Sequence, residues 1–261
     1  MEIQAFCAMM ERITPPALAM EGDRIGLLIG TDHAEIKRIL VALDLTTDVA
    51  DEAIRGGYDL VLTHHPIFWN PVTRMLPDRY ETAAAYRLIR HGIGMYAAHT
   101  NLDAAQGGVN DALCDALGLH DRRPLPPENL GRIGMLASPM RFSDFTALCE
   151  QQLDTRARIV GDPNRTVQSV AVIGGSGGGD VEAVHAAGCD AFVTGEMKHS
   201  QALEAAYLGL CCCVLGHHET EILVLKPLIS RLQREENDVQ YDLTRSGKAP
   251  LPCPEGGRTH E

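Results

Sequence analysis

The sequence lacks the features that mark membrane, secreted and nucleic-acid-binding proteins. No apolar stretch approaches the roughly 18–20 residues that span a bilayer, and residues 1–4 lack the basic segment of a secretory signal. Basic residues are few, since 23 lysines and arginines stand against 35 aspartates and glutamates, a net charge of −12. Such an acidic balance argues against the basic footprint of a nucleic-acid binder. We therefore expect a cytoplasmic protein with no membrane segment and without nucleic acid as a partner.

The sequence also lacks paired cysteines. None of its eight cysteines forms a C-x-x-C pair, and Cys211, Cys212 and Cys213 are consecutive. Neighbours on a strand point to opposite faces, so three adjacent thiols do not easily share one ion. We interpret the cysteines as small buried side chains that stay reduced in a cytosol.

Patterns typical of several enzyme classes are absent as well. No Ser-His-Asp or Cys-His nucleophile stands out. The glycine-rich residues 174–179 lack both the P-loop pattern and the downstream acid of a dinucleotide fingerprint. A tight turn between a strand and a helix is the simpler interpretation of these glycines, with a phosphate cradle as the alternative. A nucleotide-binding oxidoreductase is accordingly a weak hypothesis.

Histidine and carboxylate, by contrast, are concentrated in three short stretches. Each stretch follows an apolar run that is typical of a buried strand, and the last two share a His-x-x-x-carboxylate spacing. Imidazole and carboxylate are ligands that suit Zn, Fe and Mn. The sequence therefore predicts a metal centre at residues 63–66, 99–103 and 217–221.

The chain nearly repeats itself around these stretches. Each half contains an apolar strand, a helix closed by glycine and a second apolar strand, which together predict a parallel βαβ unit. In the first half these elements are 38–45, 47–55 and 58–63; in the second they are 169–173, 180–187 and 189–194. A third strand, 93–98 or 210–215, then precedes each His-x-x-x-carboxylate stretch.

We therefore predict an α/β fold with two similar lobes, a pseudo-repeat of βαβ units, and a metal site at the lobe interface. Open α/β sheets place their sites at the carboxyl ends of strands, where all three stretches lie. Chance similarity between two βαβ segments is the competing explanation. The predicted divisions are a first lobe at 1–120, a connector with an intervening strand and helix at 121–168, a second lobe at 169–245 and a disordered tail at 246–261. In that tail, Cys253 and His260 carry little functional weight.

His64 and His65 are adjacent, and adjacent side chains on a regular strand face opposite ways. They serve one site only if the chain bends there, or if they address two different ions. Pro66 biases His65 towards an extended backbone. Phe68 and Trp69, just beyond, form either a wall of the pocket or ordinary core.

Asp103 and His99 each leave two interpretations open. Asp103 is either a metal ligand or the cap of a helix that begins near it. His99 is either a direct ligand or a residue that orients a catalytic water.

The third stretch and one further loop supply the remaining candidates. His217 and Glu221 fall on one face if a helix starts there, because positions i and i+4 are neighbours. His218 and Glu219 are their rivals in the same stretch. Glu196, at the position in the second half that a histidine holds in the first, is either a site carboxylate or a solvent-exposed residue.

Four segments, at residues 63–66, 98–103, 194–199 and 216–221, resemble in order the motifs of the dinuclear-metal Nif-three-like family, known as GTP cyclohydrolase I type 2 homologs. The resemblance runs from about residue 24 to about residue 235. It implies two divalent ions and a homohexameric toroid whose sites face an internal cavity. Position by position, it implies metal ligands at His64, His65, Asp103, His217 and Glu221.

Two departures from that family bear on the expectation. Some members carry a further domain between the halves, for which the short connector here leaves no room. The last motif usually has a small residue where this chain has Glu219. The proton shuttle therefore stays open among His99, Glu196 and Glu219.

The leading hypothesis is a metal-dependent hydrolase, because two close ions lower the pKa of a bound water towards neutrality. The family label implies a nucleotide substrate, with opening of the guanine ring of GTP and release of formate. The alternative is a non-catalytic toroidal scaffold or regulator with a structural or sensing metal site. An open coordination position beside a nucleotide-sized pocket would distinguish them, since catalytic sites stay open. Ligand type does not decide among Zn, Fe and Mn.

Overall fold

Two β-sheets organise residues 1–251, the part of the chain that the computed structural model describes. The predicted tail therefore lies outside the described residues from 252 onward, as do Cys253 and His260. The strands are β1 (Gly26–Ile29), β2 (Arg38–Ala42), β3 (Leu60–Thr63), β4 (Gly94–Ala97), β5 (His120–Pro124), β6 (Arg132–Arg141), β7 (Arg158–Val160), β8 (Thr166–Ile173), β9 (Ala191–Thr194), β10 (Cys211–Val214) and β11 (Gln240–Leu243).

Helices cover both faces of each sheet. They are α1 (Ile3–Ile13), α2 (Thr47–Gly56), α3 (Tyr80–Arg90), α4 (Thr100–Ala104), α5 (Val109–Ala116), α6 (Phe142–Leu153), α7 (Val181–Ala186), α8 (His199–Tyr207), α9 (His217–Glu221) and α10 (Leu225–Glu235). Short 3-10 turns precede α7 and α10 and follow α1. No helix between residues 1 and 251 is long and apolar enough to cross a membrane.

The first sheet has the order β1-β4-β3-β2-β11. Strands β2, β3, β4 and β11 run parallel, whereas β1 pairs antiparallel with β4. In this register Ala42 lies beside Thr63, and Thr63 lies beside Ala97. The residues that follow β2, β3 and β4 therefore leave the same edge of the sheet.

Alternating side chains of these strands fill two cores. Ile39 and Val41 of β2 pack towards α1 and α10, while Leu40 and Ala42 pack towards α2 and α3. Helix α2 begins where the hydroxyl of Thr46 accepts the N–H of Val49 and ends at the left-handed Gly57. The predicted strand–helix–strand unit is confirmed here.

The second sheet has the order β5-β6-β8-β9-β10-β7, with β8, β9 and β10 parallel. Ile173 lies beside Thr194, and Thr194 lies beside Val214. Its centre thus has the same arrangement as β2, β3 and β4, including an antiparallel strand beyond the third, β7 here and β1 in the first sheet.

Strand β10 carries the three consecutive cysteines, all fully buried. Cys211 and Cys213 pack into the core under α6, and Cys212 packs into the core under α7 and α8. The expectation of small buried side chains on opposite faces is confirmed.

Sheet membership differs from the predicted divisions at two places. The segment predicted as a connector begins in β5, whose exposed polar side chains give no hydrophobic alternation although its backbone pairs with β6. At the other end, β11 pairs in parallel with β2, so the last strand returns to the first sheet. The second sheet is therefore built from one continuous stretch, residues 120–214, whereas the first sheet combines residues 26–97 with the late strand β11.

Candidate metal centre

The two adjacent histidines meet at one site because the chain turns directly after β3. The hydroxyl of Thr63 donates to the carbonyl of His65 over 2.7 Å, while the His65 N–H stays bonded to the Leu43 carbonyl. The imidazole rings of His64 and His65 then lie 4.8 Å apart between centroids. Of the two alternatives that the sequence left open, a bend or two different ions, the bend is present, and the two rings also fall in different groups with Glu221.

Helix α9 supplies two more side chains from the end of β10. His217 and Glu221 lie one turn apart, with Nε2 of the histidine 3.2 Å from Oε2 of the glutamate. Their rivals His218 and Glu219 belong to none of the ligand groups that the described residues form. The i, i+4 interpretation therefore agrees with the geometry.

Three ligand atoms form a nearly equilateral triangle. Nε2 of His65, Nε2 of His217 and Oε2 of Glu221 are separated by 3.1, 3.2 and 3.2 Å. A metal with ligand distances of roughly 2.1 Å holds its ligands about 3.0 to 3.4 Å apart, for octahedral and tetrahedral geometry respectively. The spacing of the triangle matches that range.

A second group shares Glu221 with the first. Nε2 of His64 lies 3.6 Å from Oδ1 of Asp103 and 3.6 Å from Oε1 of Glu221. Asp103 occupies the first turn of α4 but caps no helix, since α4 begins after His99 and α5 begins after Gly108. Glu221 thus directs one oxygen to each group.

Two buried polar atoms of these groups, Nε2 of His64 and Oδ1 of Asp103, have no hydrogen-bond partner. Buried polar atoms almost always find a partner, and an unsatisfied one costs roughly 1–3 kcal/mol. Both atoms are of kinds that bind cations, and they lie beside Glu221, which fits a group of metal ligands.

Partners on the far side of each ring aim its Nε2 at the centre. His64 contacts the Ala98 carbonyl through Nδ1 at 2.9 Å, and His65 contacts Oδ1 of Asp44 through Nδ1 at 2.8 Å. Glu196 approaches Nδ1 of His217 at 3.3 Å, so it serves the site although it is largely exposed. Such partners fix the tautomer and orientation of a ligating imidazole.

His99 is held by a carboxylate that the sequence analysis did not single out. Its Nδ1 lies 2.8 and 2.9 Å from the two oxygens of Asp23. One nitrogen of His99 also lies within 4.8 Å of nitrogens of His64 and His65. Asp23 sits in a loop ahead of β1, where no pattern marks it. Asp44 was missed as well, although it follows the carboxyl end of β2 just as the histidines follow the carboxyl ends of their strands at the same sheet edge.

The buried carboxylates and imidazoles of the cluster shift one another's pKa values. Burial opposes the charge of Glu221, yet His64, His217 and His65 hold the pKa of that carboxyl well below its usual range. Burial likewise acts against a charged His65, but hydrogen bonds to Asp44 and Glu221 raise its pKa to about 10. The pKa of Asp103 rises to about 6, chiefly through burial. Bound cations would place positive charge beside these carboxylates.

The glycine-rich turn serves the site by leaving room rather than by binding phosphate. The N–H groups of Gly174, Gly175, Gly177 and Gly178 donate to acceptors of the protein itself, which favours the tight-turn interpretation. A Cβ on Gly175 would overlap Oε1 of Glu221 and lie 3.1 Å from Nε2 of His217.

Two cavities meet at His217. One of about 820 Å³ has His65, His217 and Asp44 among its lining residues, and Phe68 and Trp69 lie in its wall, the first of their two interpretations. The other, of about 870 Å³, lies beside Glu196, His218 and Glu219.

Comparison with known proteins gives three kinds of match. The model of the family Duf34/NIF3 (NGG1p interacting factor 3) matches residues 1–250. A GTP cyclohydrolase 1 type 2 homolog of Streptomyces coelicolor is 35% identical over 81% of this chain and 79% of its own length. One of the same name from Clostridium perfringens is 30% identical over 96% and 99%. The crystal structure of a Bacillus cereus protein related to NIF3 superposes with a TM-score of 0.89 at 25% identity, covering 95% of this chain and 98% of that one.

Proposed function

This chain belongs to the Duf34/NIF3 family, and we propose that it is a metal-dependent hydrolase with two divalent ions. The observation that carries the proposal is the division of Glu221 between two ligand groups. One group adds His65 and His217, and the other adds His64 and Asp103. Two sites that share a carboxylate are the arrangement of two-metal hydrolases.

We propose that the site lies at the interface of two lobes that are copies of one unit. The matching order and direction of β2-β3-β4 and β8-β9-β10 support this. In each copy the third strand leads into a short helix that carries a carboxylate, Asp103 in α4 and Glu221 in α9. A homohexameric toroid is part of the same proposal, and a sedimentation mass of six chains is the expected result.

When bound, the ions would lower the pKa of a coordinated water and polarise the bond that it attacks. The chain's own residues prepare the site for that chemistry. Asp44 holds His65, and Glu196 approaches His217, so both imidazoles keep Nε2 towards the centre. Phe68 and Trp69 line the 820 Å³ cavity beside these imidazoles.

The same cavity supports a nucleotide as substrate. Its aromatic wall offers a surface for a flat ring, and Arg74, Arg79 and Lys248 line it without ion-pair partners among residues 1–251. Cationic side chains of this kind attract phosphate groups. Its volume lies in the range of small-molecule sites, about 300–1,000 Å³. With the name of the relatives, these features lead us to propose GTP, whose guanine ring would be opened with release of formate.

A cavity that opens onto His65 and His217 also favours catalysis over a purely structural or sensing ion in a scaffold. Structural sites are closed by protein ligands, whereas catalytic sites keep positions for water and substrate. Because the cavity borders His65 and His217, it supports open coordination positions on that side of the triangle.

The test is formate release from GTP by the purified protein, with metal content measured on the same sample. We expect two ions for each chain, loss of turnover after chelation, and recovery when Zn, Fe or Mn is restored. His217→Ala should remove turnover. His120→Ala, which alters an exposed histidine outside the centre, should not. Two bound ions without formate release would reject GTP but keep the metal centre, whereas absence of ions would reject both.

A further inference from the structure

We propose that Asp23 is a positioning residue that fixes His99 with Nδ1 protonated, so that Nε2 accepts a proton from the attacking water. The proton-transfer role rests on the proposed hydrolase function. The positioning of His99 by Asp23 does not, because its geometry and its test are independent of turnover.

The carboxylate of Asp23 determines which nitrogen of His99 carries the hydrogen. Its side chain is only 4% exposed, and both of its oxygens lie within 2.9 Å of Nδ1 of His99. Three further donors reach it: the N–H of Arg24 at 2.7 Å, the N–H of Thr100 at 3.1 Å and the hydroxyl of Thr100. A carboxylate surrounded by donors only accepts, so Nδ1 must donate. The neutral ring then has its lone pair on Nε2.

The ring of His99 lies beside two histidines of the candidate metal centre. The ring of His99 lies 5.2 Å from that of His64 and 5.7 Å from that of His65. Because Nδ1 is taken by Asp23, Nε2 is the nitrogen left for the site. The edge contact with Trp69, at 5.1 Å between centroids, restricts rotation of the ring.

His99 belongs to neither of the two ligand groups that contain Glu221. The third group of the described residues, which joins His99 to His64 and His65, has no carboxylate. An imidazole nitrogen next to the ligands, with Asp23 behind the ring, is placed to exchange protons with a bound water.

The loop that carries Asp23 is bonded to Thr100, which follows His99 and is the first residue of α4. The N–H of Met20 donates to the hydroxyl of Thr100 over 2.9 Å, and that hydroxyl in turn reaches Asp23. Asp23 is thus held relative to His99 by contacts at both ends of a four-residue stretch.

One proton passes from the attacking water to His99 and then to the substrate. An O–H bond of the attacking water breaks as an N–H bond forms at Nε2 of His99. The resulting imidazolium keeps its hydrogen on Nδ1, where it stays hydrogen-bonded to Asp23. The same Nε2–H then breaks as the proton passes to the leaving atom of the substrate. General base catalysis of this kind contributes roughly 10²–10⁴-fold.

The test is Asp23→Asn, examined by ¹⁵N NMR of histidine-labelled, Zn-loaded protein with His99 assigned through His99→Gln. In Asp23→Asn the new amide can donate to Nδ1, so we expect the hydrogen to move to Nε2, with both ions retained. Where formate release is observed, kcat should fall by roughly 10²–10⁴-fold.

Asp121→Asn is the matched control, because Asp121 contacts Nδ1 of His120 at 2.9 Å on the exposed surface. It should leave the His99 signals, the metal content and kcat unchanged. An unaltered His99 tautomer in Asp23→Asn would overturn the positioning role, and so would loss of an ion. A shifted tautomer in a protein that never hydrolyses GTP would support the positioning role while rejecting the proposed function.

Discussion

A single methyl group placed at Gly175 should disable the metal centre without unfolding the protein. Gly175 has a φ of +62°, and a Cβ there would lie 3.0 Å from Cδ of Glu221 and overlap Oε1. Ordinary contact at such an atom begins at 3.4 Å, so the carboxylate must move by several tenths of an ångström or more. Ligand distances tolerate about 0.2 Å.

The loss of stability expected for Gly175→Ala has two separate parts. Alanine in the left-handed region costs about 1–2 kcal/mol in folding stability. Displacing Glu221 should weaken ion binding by at least the 10- to 100-fold that follows loss of a group supporting a ligand. When metal is in excess, a hundredfold loss of ion affinity lowers the free energy of unfolding by about 2.7 kcal/mol.

Gly188→Ala separates the two costs, because Gly188 has a φ of +73° and a Cβ there meets nothing within 4 Å. We expect both variants to lose the backbone term in denaturant unfolding. Only Gly175→Ala should also lose the stabilisation that bound metal provides. A chelator should therefore reduce the difference in free energy of unfolding between the two variants by that metal-dependent amount. Equal ion affinity in the two variants, measured by calorimetry, would contradict the assignment of Glu221 as a ligand.

Further predictions concern ion number and pH. Metal analysis should find one ion in Asp103→Ala, one in His217→Ala and none in Glu221→Ala; equal losses in all three would argue against two groups. Despite burial, contacts with two carboxylates raise the pKa of His65 from 6.5 to about 10 in the metal-free chain. Its contribution to stability is therefore complete below pH 6.5 and lost as the pH rises towards 10, which urea unfolding of the metal-free protein should show and His65→Gln should flatten. Ion binding must displace that proton, so affinity should rise with pH, with proton release visible in calorimetry in different buffers.

Local sequence patterns were sufficient for the central strands and helices. Helix α2 and strand β3 follow from a capping Thr46, apolar spacing and the Gly57 terminus, all of which act within a few residues. Strand β5 could not be predicted from the sequence, because it lies at a sheet edge with its side chains in solvent and needs no alternation of apolar and polar residues. Strand β11 could be placed only by pairing with residues about 200 positions earlier.

The candidate site shows the same division between local and distant information. His64, His217 and Glu221 follow apolar strands, so their position at a sheet edge could be inferred. Asp44 follows the same rule but stands alone, without a histidine beside it to attract notice. Asp23 reaches His99 only because the loop before β1 docks on α4, and nothing in the sequence around it encodes that contact.

The return of β11 to the first sheet sets an order on synthesis. The six strands of the second sheet have all been synthesised once residue 214 is added, whereas the first sheet waits for residues 240–243 to fill the edge beside β2. Until then the flank of β2 offers unpaired backbone to other chains. The earlier-translated sheet is therefore the later one to close, and a chain shortened before residue 240 should be prone to aggregate through that flank.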